Sequence, residues 1–130
     1  MKIEHLALWT ANLERARRFY ETYLGAQANE LYHNPRTGFR SYFLKFAGGA
    51  RLELMQRADI AERSSGDVER ETLGLAHFAV SLGSEAAVDG MTERFRRDGL
   101  RVVSAPRRTG DGYYESVVLD PDGNRIELTV

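Results

Sequence analysis

One phrase occurs twice in this chain, and that repetition limits the fold more than any other feature. "IEHLALW" (Ile3–Trp9) returns as "LAHFAVS" (Leu75–Ser81), with His77 in the place of His5. "RLELM" (51–55) returns within "NRIELTV" (124–130), with Glu127 in the place of Glu53. The histidines lie 72 residues apart and the glutamates 74, so the copy slips by two residues, which two small loop changes account for. A chain that repeats a unit of this size builds one supersecondary piece twice and then stacks or pairs the copies.

Each copy reads β-α-β-β-β. In the first, Ile3–Trp9 alternates as a strand, with Leu6 and Leu8 on one face and His5, Ala7 and Trp9 on the other. Thr10 or Asn12 caps a helix over 13–24, whose Leu13, Ala16, Phe19, Tyr20 and Leu24 recur at helical spacing, and Gly25 stops it. Strands follow at 28–33, 40–46 and 51–55, the last after a Gly48-Gly49 turn. In the second copy a helix from Ser84 to Asp98 uses Ala87, Val88, Met91 and Phe95 as its core stripe. Strands at 100–105, 113–119 and 124–130 complete it, with Asp120-Pro121-Asp122-Gly123 as a tight turn before the last. The expected organisation is one α+β domain over 1–130: module one 1–57, a linker at 58–74 with room for a turn of helix, and module two 75–130. Two such units favour small sheets combining around a shared cavity.

Composition narrows the chemistry. A net charge of −1 offers no basic field for nucleic acid or an anionic membrane. No apolar run is long enough to span a bilayer, and Glu4 and His5 interrupt the start where a secretory signal would be apolar. The expectation is a soluble, cytoplasmic protein without nucleic-acid or membrane partners. With no cysteine, a metal would have to be held by His, Asp or Glu.

Period-two alternation then groups the side chains. Arg51, Glu53 and Met55 oppose Leu52 and Leu54, while Arg125, Glu127 and Thr129 oppose Ile126 and Leu128. The aliphatic faces are the natural ones to pack under the helices, leaving His5, Glu53, His77 and Glu127 to face the concave side. Singly, a strand histidine is usually a hydrogen-bonded structural group, and a Glu beside an Arg a solvated strand face. Recurrence of both at matched places changes that balance. Two imidazoles and two carboxylates suit a divalent ion such as nickel, cobalt, zinc, manganese or iron(II), with two of roughly six positions open.

Together "IEHLAL", "RRFYETYLGA", "RLELM", "GLAHFAVS" and "VVLDPDGNRIEL" resemble the vicinal-oxygen-chelate superfamily, which includes glyoxalase I, fosfomycin-resistance proteins, extradiol dioxygenases and methylmalonyl-CoA epimerase. The resemblance covers nearly the whole chain and implies the glyoxalase/bleomycin-resistance/dioxygenase fold: paired βαβββ modules forming a curved sheet around a metal cleft. Bacterial-type glyoxalase I draws His and Glu from each module, and His5, Glu53, His77 and Glu127 match those positions one by one. Fosfomycin-resistance enzymes and dioxygenases resemble a two-His, one-Glu site instead, and the epimerase tends to carry an amide where Glu53 stands.

The resemblance therefore implies a lactoylglutathione lyase-type enzyme. It would convert the hemithioacetal of a 2-oxoaldehyde and a thiol into a 2-hydroxyacyl thioester through an ene-diolate, with Glu127 as the base and Glu53 its counterpart. The alternatives are an epoxide-opening resistance transferase, an epimerase, a dioxygenase, or a drug-sequestering protein without turnover. Trp9, Arg40, Arg108 and Tyr113 are the candidate substrate-binding residues, the arginines for a carboxylate or phosphate. Relatives pair modules within or between chains, and a chain of this size implies a homodimer whose sites join His5 and Glu53 of one copy to His77 and Glu127 of the other.

Overall fold

The computed structural model describes residues 1–61, 71 and 73–130, so the 58–74 segment read as a linker, with its turn of helix, lies largely outside the described residues. Two compact units form, Met1–Glu62 and Arg63–Val130. The first runs β1 (His5–Trp9), α1 (Leu13–Leu24), β2 (Gln27–Ala28), β3 (Tyr32–Asn34), β4 (Phe39–Lys45) and β5 (Arg51–Gln56). The second runs β6 (Phe78–Ser81), α2 (Glu85–Arg97), β7 (Val102–Arg108), β8 (Tyr114–Leu119) and β9 (Arg125–Thr129). The α+β class is that expected, and the second unit has the expected βαβββ order, while the first has it with the strand after α1 in two pieces. None of the described helices is long and apolar enough to cross a membrane.

Asn12 caps α1, its side chain accepting from the Arg15 N–H at 3.0 Å. Leu13, Ala16, Phe19 and Tyr20 are buried. The chain leaves the helix through Gly25 at φ 64, where the absence of Cβ removes the left-handed penalty and the Gly25 N–H donates to the Tyr20 carbonyl. In α2, Ser84 caps by accepting from Ala87 N–H. Val88 and Phe95 are fully buried as expected, but Ala87 and Met91 are only half-buried, and Thr92 takes a core place between them. Its hydroxyl lies 2.7 Å from the Val88 carbonyl and 2.7 Å from Ser116 Oγ on β8. Those two bonds satisfy a polar group that would otherwise be costly to bury.

In the first sheet the strand order is β1-β5-β4-β2, with β3 also on β4; in the second it is β6-β9-β8-β7. Strand β1 runs parallel to β5, and β6 parallel to β9, so each repeat places its first strand beside its last. Leu44, Leu52 and Leu54 in one sheet, and Val118, Ile126 and Leu128 in the other, are buried.

Two strands depart from expectation, both at an edge. The run at 28–33 is split into β2 and β3: Ala28 pairs with Leu44 but Tyr32 with Ser41, one residue out of step. Asn29 fills the gap, its backbone N–H donating to Phe43 O at 3.0 Å and its side chain accepting from Phe43 N–H at 2.7 Å. In the second sheet β7 continues past Ala105 to Arg108, with register shifts between Val102 and Ser104 and again between Ser104 and Arg107. Pro106 has no N–H to give a ladder, which an edge strand tolerates.

Candidate metal centre

In module one, parallel pairing sets His5 across from Arg51 and Ala7 across from Glu53, while β4 brings Phe43 to the other side of Glu53. Leu52 and Leu54 take the buried face, so alternation turns His5 and Glu53 to the opposite one. There His5 Nε2 lies 3.9 Å from Glu53 Oε2. The ring's Nδ1 hydrogen-bonds to Glu4, which also accepts from Arg51 Nε at 2.8 Å. The His5 bond, then that of Arg51, holds the Glu4 carboxyl below the usual carboxylate range. Phe43 supports the imidazole edge-on at 5.3 Å, and the Arg51 guanidinium lies 4.4 Å over Phe43. The imidazole is thus oriented by three neighbours.

Module two reaches the same arrangement from the Asp120–Gly123 turn. The buried Asp120 carboxylate accepts from the backbone N–H of Asp122 (3.0 Å) and Asn124 (2.8 Å), and from the Asn124 amide (2.8 Å). That clamp starts β9 in the register that sets Glu127 across from Ala79, as Glu53 lies across from Ala7. His77, just before β6, has its Nε2 3.1 Å from Glu127 Oε2. Ala76 stands where module one has Glu4, so this copy lacks that carboxylate behind its histidine.

Glu115 was missed in the sequence. On β8 it lies two residues from Val117, the partner of Glu127, and therefore on the same face. Its charge acts on Glu127, and it is itself held by Arg107 Nη2 at 3.2 Å, while Arg107 Nε donates to Ser104 Oγ at 3.3 Å. The Glu115 and Glu127 side chains are only 12% and 15% exposed, so two carboxylates share a poorly solvated place. Burial above all, then the Glu115 charge, pushes the Glu127 carboxyl up, with His77 opposing. Pairing the parity of "YYESVVL" with that of "NRIELTV" is the signal that would have found Glu115.

Four side chains were named for substrate. Trp9 is on the His5 face, beside Met55. Arg40 is not: it shares the parity of Tyr42 and Leu44, on the helix side, where Tyr42 Oη donates to Glu14 at 2.8 Å and the Arg40 charge acts on both groups. Arg108 also faces the helix, opposite Tyr114, ion-paired to Glu85 at the start of α2. Tyr114 there donates to Asp89 at 2.7 Å. Strand parity sends Arg107, rather than Arg108, to the Glu127 face. Tyr113 precedes β8, 61% exposed, with its backbone engaged by Thr109.

Each module thus offers one imidazole nitrogen and one carboxylate oxygen converging on a sheet face, a donor pair suited to a borderline divalent ion. Among the described residues, no three His, Asp or Glu side chains gather as a metal group. Two donors per module fit a metal as half of a set.

The chain matches the model of the Glyoxalase/Bleomycin resistance protein/Dioxygenase superfamily over residues 2–128, and it belongs to that family. It is 29% identical over 129 residues to the uncharacterized protein YqjT of Bacillus subtilis (strain 168), an alignment covering 97% of this chain and 96% of that one. Among solved structures, a glyoxalase family protein from Enterococcus faecalis superposes with a TM-score of 0.78 at 25% identity, covering 99% and 97% of the two chains. Glyoxalase I from Zea mays superposes with a TM-score of 0.80 at 20% identity, covering 98% of this chain and 44% of that one, a likeness of fold alone.

Proposed function

We propose that this protein is a metal-dependent, glyoxalase I-like lyase that converts a 2-oxoaldehyde–thiol hemithioacetal into a 2-hydroxyacyl thioester. One observation carries the reading: the same His–Glu pair occurs in both modules, with Glu53 and Glu127 at the same register beside Ala7 and Ala79. His5, Glu53, His77 and Glu127 would hold one nickel, cobalt, zinc, manganese or iron(II) ion. A divalent ion held there would supply Lewis acidity and offset negative charge developing on substrate oxygen.

Glu127 takes the proton from the carbon beside the carbonyl and returns it to the neighbouring carbon. In the metal-free protein burial, then the Glu115 charge, raises its affinity for protons, and a carboxylate at this place can both accept a proton and release one. Glu115 is kept in place by Arg107, and Glu4 orients His5. Glu53 is the counterpart of Glu127 on the other half of the site. The sites belong to a homodimer, each joining module one of one copy to module two of the other.

The deciding assay incubates the protein, loaded in turn with each divalent ion, with methylglyoxal and glutathione or another small thiol, and follows thioester absorbance. Thioester formation that chelation abolishes is expected. No thioester with any metal and thiol would remove the lyase reading and leave sequestration of a small molecule.

A further inference from the structure

On module one the face that carries His5 and Glu53 continues into an aromatic patch. Trp9 lies across from Met55, two residues beyond Glu53, or about 7 Å of strand. Its ring meets Phe39 edge-on at 6.1 Å with the planes at 90°, and Phe39 meets Tyr32 at 6.1 Å. The Arg57 guanidinium sits 5.4 Å over Trp9 and is anchored by Asp59 at 2.5 Å. Even so, Trp9 and Tyr32 remain 39% and 54% exposed.

Module two is an internal control for these rings. At the positions of Trp9 and Met55 it carries Ser81 and Thr129, and its sheet keeps the same register. In the place of Phe39 it has Tyr113, outside the strand and turned to solvent. The sheet register is therefore kept without a ring at the Trp9 position or a packed one at the Phe39 position, and a contiguous exposed cluster beside a reaction face points to a ligand.

We propose that Trp9, Phe39 and Tyr32 form a subsite for an aryl group, so that the substrate is an aryl-substituted 2-oxoaldehyde adduct. This rests on the reading of the His5–Glu53 face given above. The spacing fits a ring attached directly to an oxygen-bearing carbon: the oxygens lie at Glu53 and the ring reaches the Trp9 level. Offset or edge-on packing against three rings favours a flat aromatic group over a methyl.

The test compares mandelate with lactate, which share a 2-hydroxy acid head and differ by phenyl against methyl. Both are titrated calorimetrically into the metal-loaded full chain, with the emission of Trp9, the single tryptophan, recorded in parallel. Mandelate is expected to bind roughly tenfold tighter and to change the emission saturably. Phe39→Leu and Trp9→Leu, checked for folding by circular dichroism, should reduce mandelate to the affinity of lactate and leave lactate unchanged. Equal binding of the two acids, no mandelate binding, or a preference that survives both substitutions overturns the subsite. A Trp9→Leu change in sedimentation with mandelate binding intact also overturns it, assigning the patch to a second copy of the chain. Chelation separates the two proposals: an aryl preference that persists while affinity for the acid head ignores the metal supports the subsite and counts against the His–Glu metal reading.

Discussion

Glu53 and Glu127 hold the same place in two copies of one module, yet one difference between their neighbours has a large electrostatic consequence. Two residues before the strand partner of each, module one has Ser41 and module two has Glu115. Only the second copy therefore sets a carboxylate against its glutamate. Glu127→Gln should lower kcat for thioester formation by about 10²–10⁴-fold, the usual range for removing a positioned base. Glu115→Gln should spare most of kcat but move the acid limb of the pH–rate profile to lower pH, because it removes a charge that holds the Glu127 proton on. The linked stability effect has the matching sign. Since its pKa in the folded, metal-free protein stands above the unfolded value, Glu127 there contributes stability at acid pH that is lost as pH rises through that raised value. Glu115→Gln should flatten this loss in urea titrations run across the acid range.

At the scale of elements, helices and central strands were legible because apolar spacing, caps and the left-handed Gly25 all pointed the same way. Thr92 was not, since nothing in the run Ala87–Phe95 says that a hydroxyl will find Ser116 on another element. Thr92→Val should therefore cost about 1–3 kcal/mol in urea unfolding by leaving Ser116 without its partner. Adding Ser116→Ala should recover part of the loss, which a simple packing defect would not allow. The paired glutamates and histidines are visible through the repeat, whereas the side of the sheet taken by Arg40 and Arg108 is set by strand parity and not by nearness to a loop. Parity puts Arg40 with Tyr42 and Arg108 with Tyr114, both under helices. Asn29 breaks its strand through a side chain that substitutes for the ladder, a contact that alternation of polarity does not encode.

For the whole molecule, the proposed sharing of sites between copies has a genetic signature. Glu53→Ala and Glu127→Ala homodimers should each be inactive. If each site joins module one of one copy to module two of the other, a mixed dimer puts both lesions in one site and leaves the second intact. Subunit exchange should then restore up to about half of the wild-type activity per mixed dimer; sites formed within single chains would give none. The edges of the two sheets bear on how such copies meet. The edges remote from the histidines are broken, β2/β3 by the one-residue shift at Asn29 and β7 by two shifts and Pro106. Strands β1 and β6 keep an unshifted register along their length. A fibre grows only when a sheet has two receptive edges, one to receive a strand and one to offer the next. Each of these sheets has one regular edge, beside its histidine, so neither sheet by itself can carry strand addition through from one edge to the other.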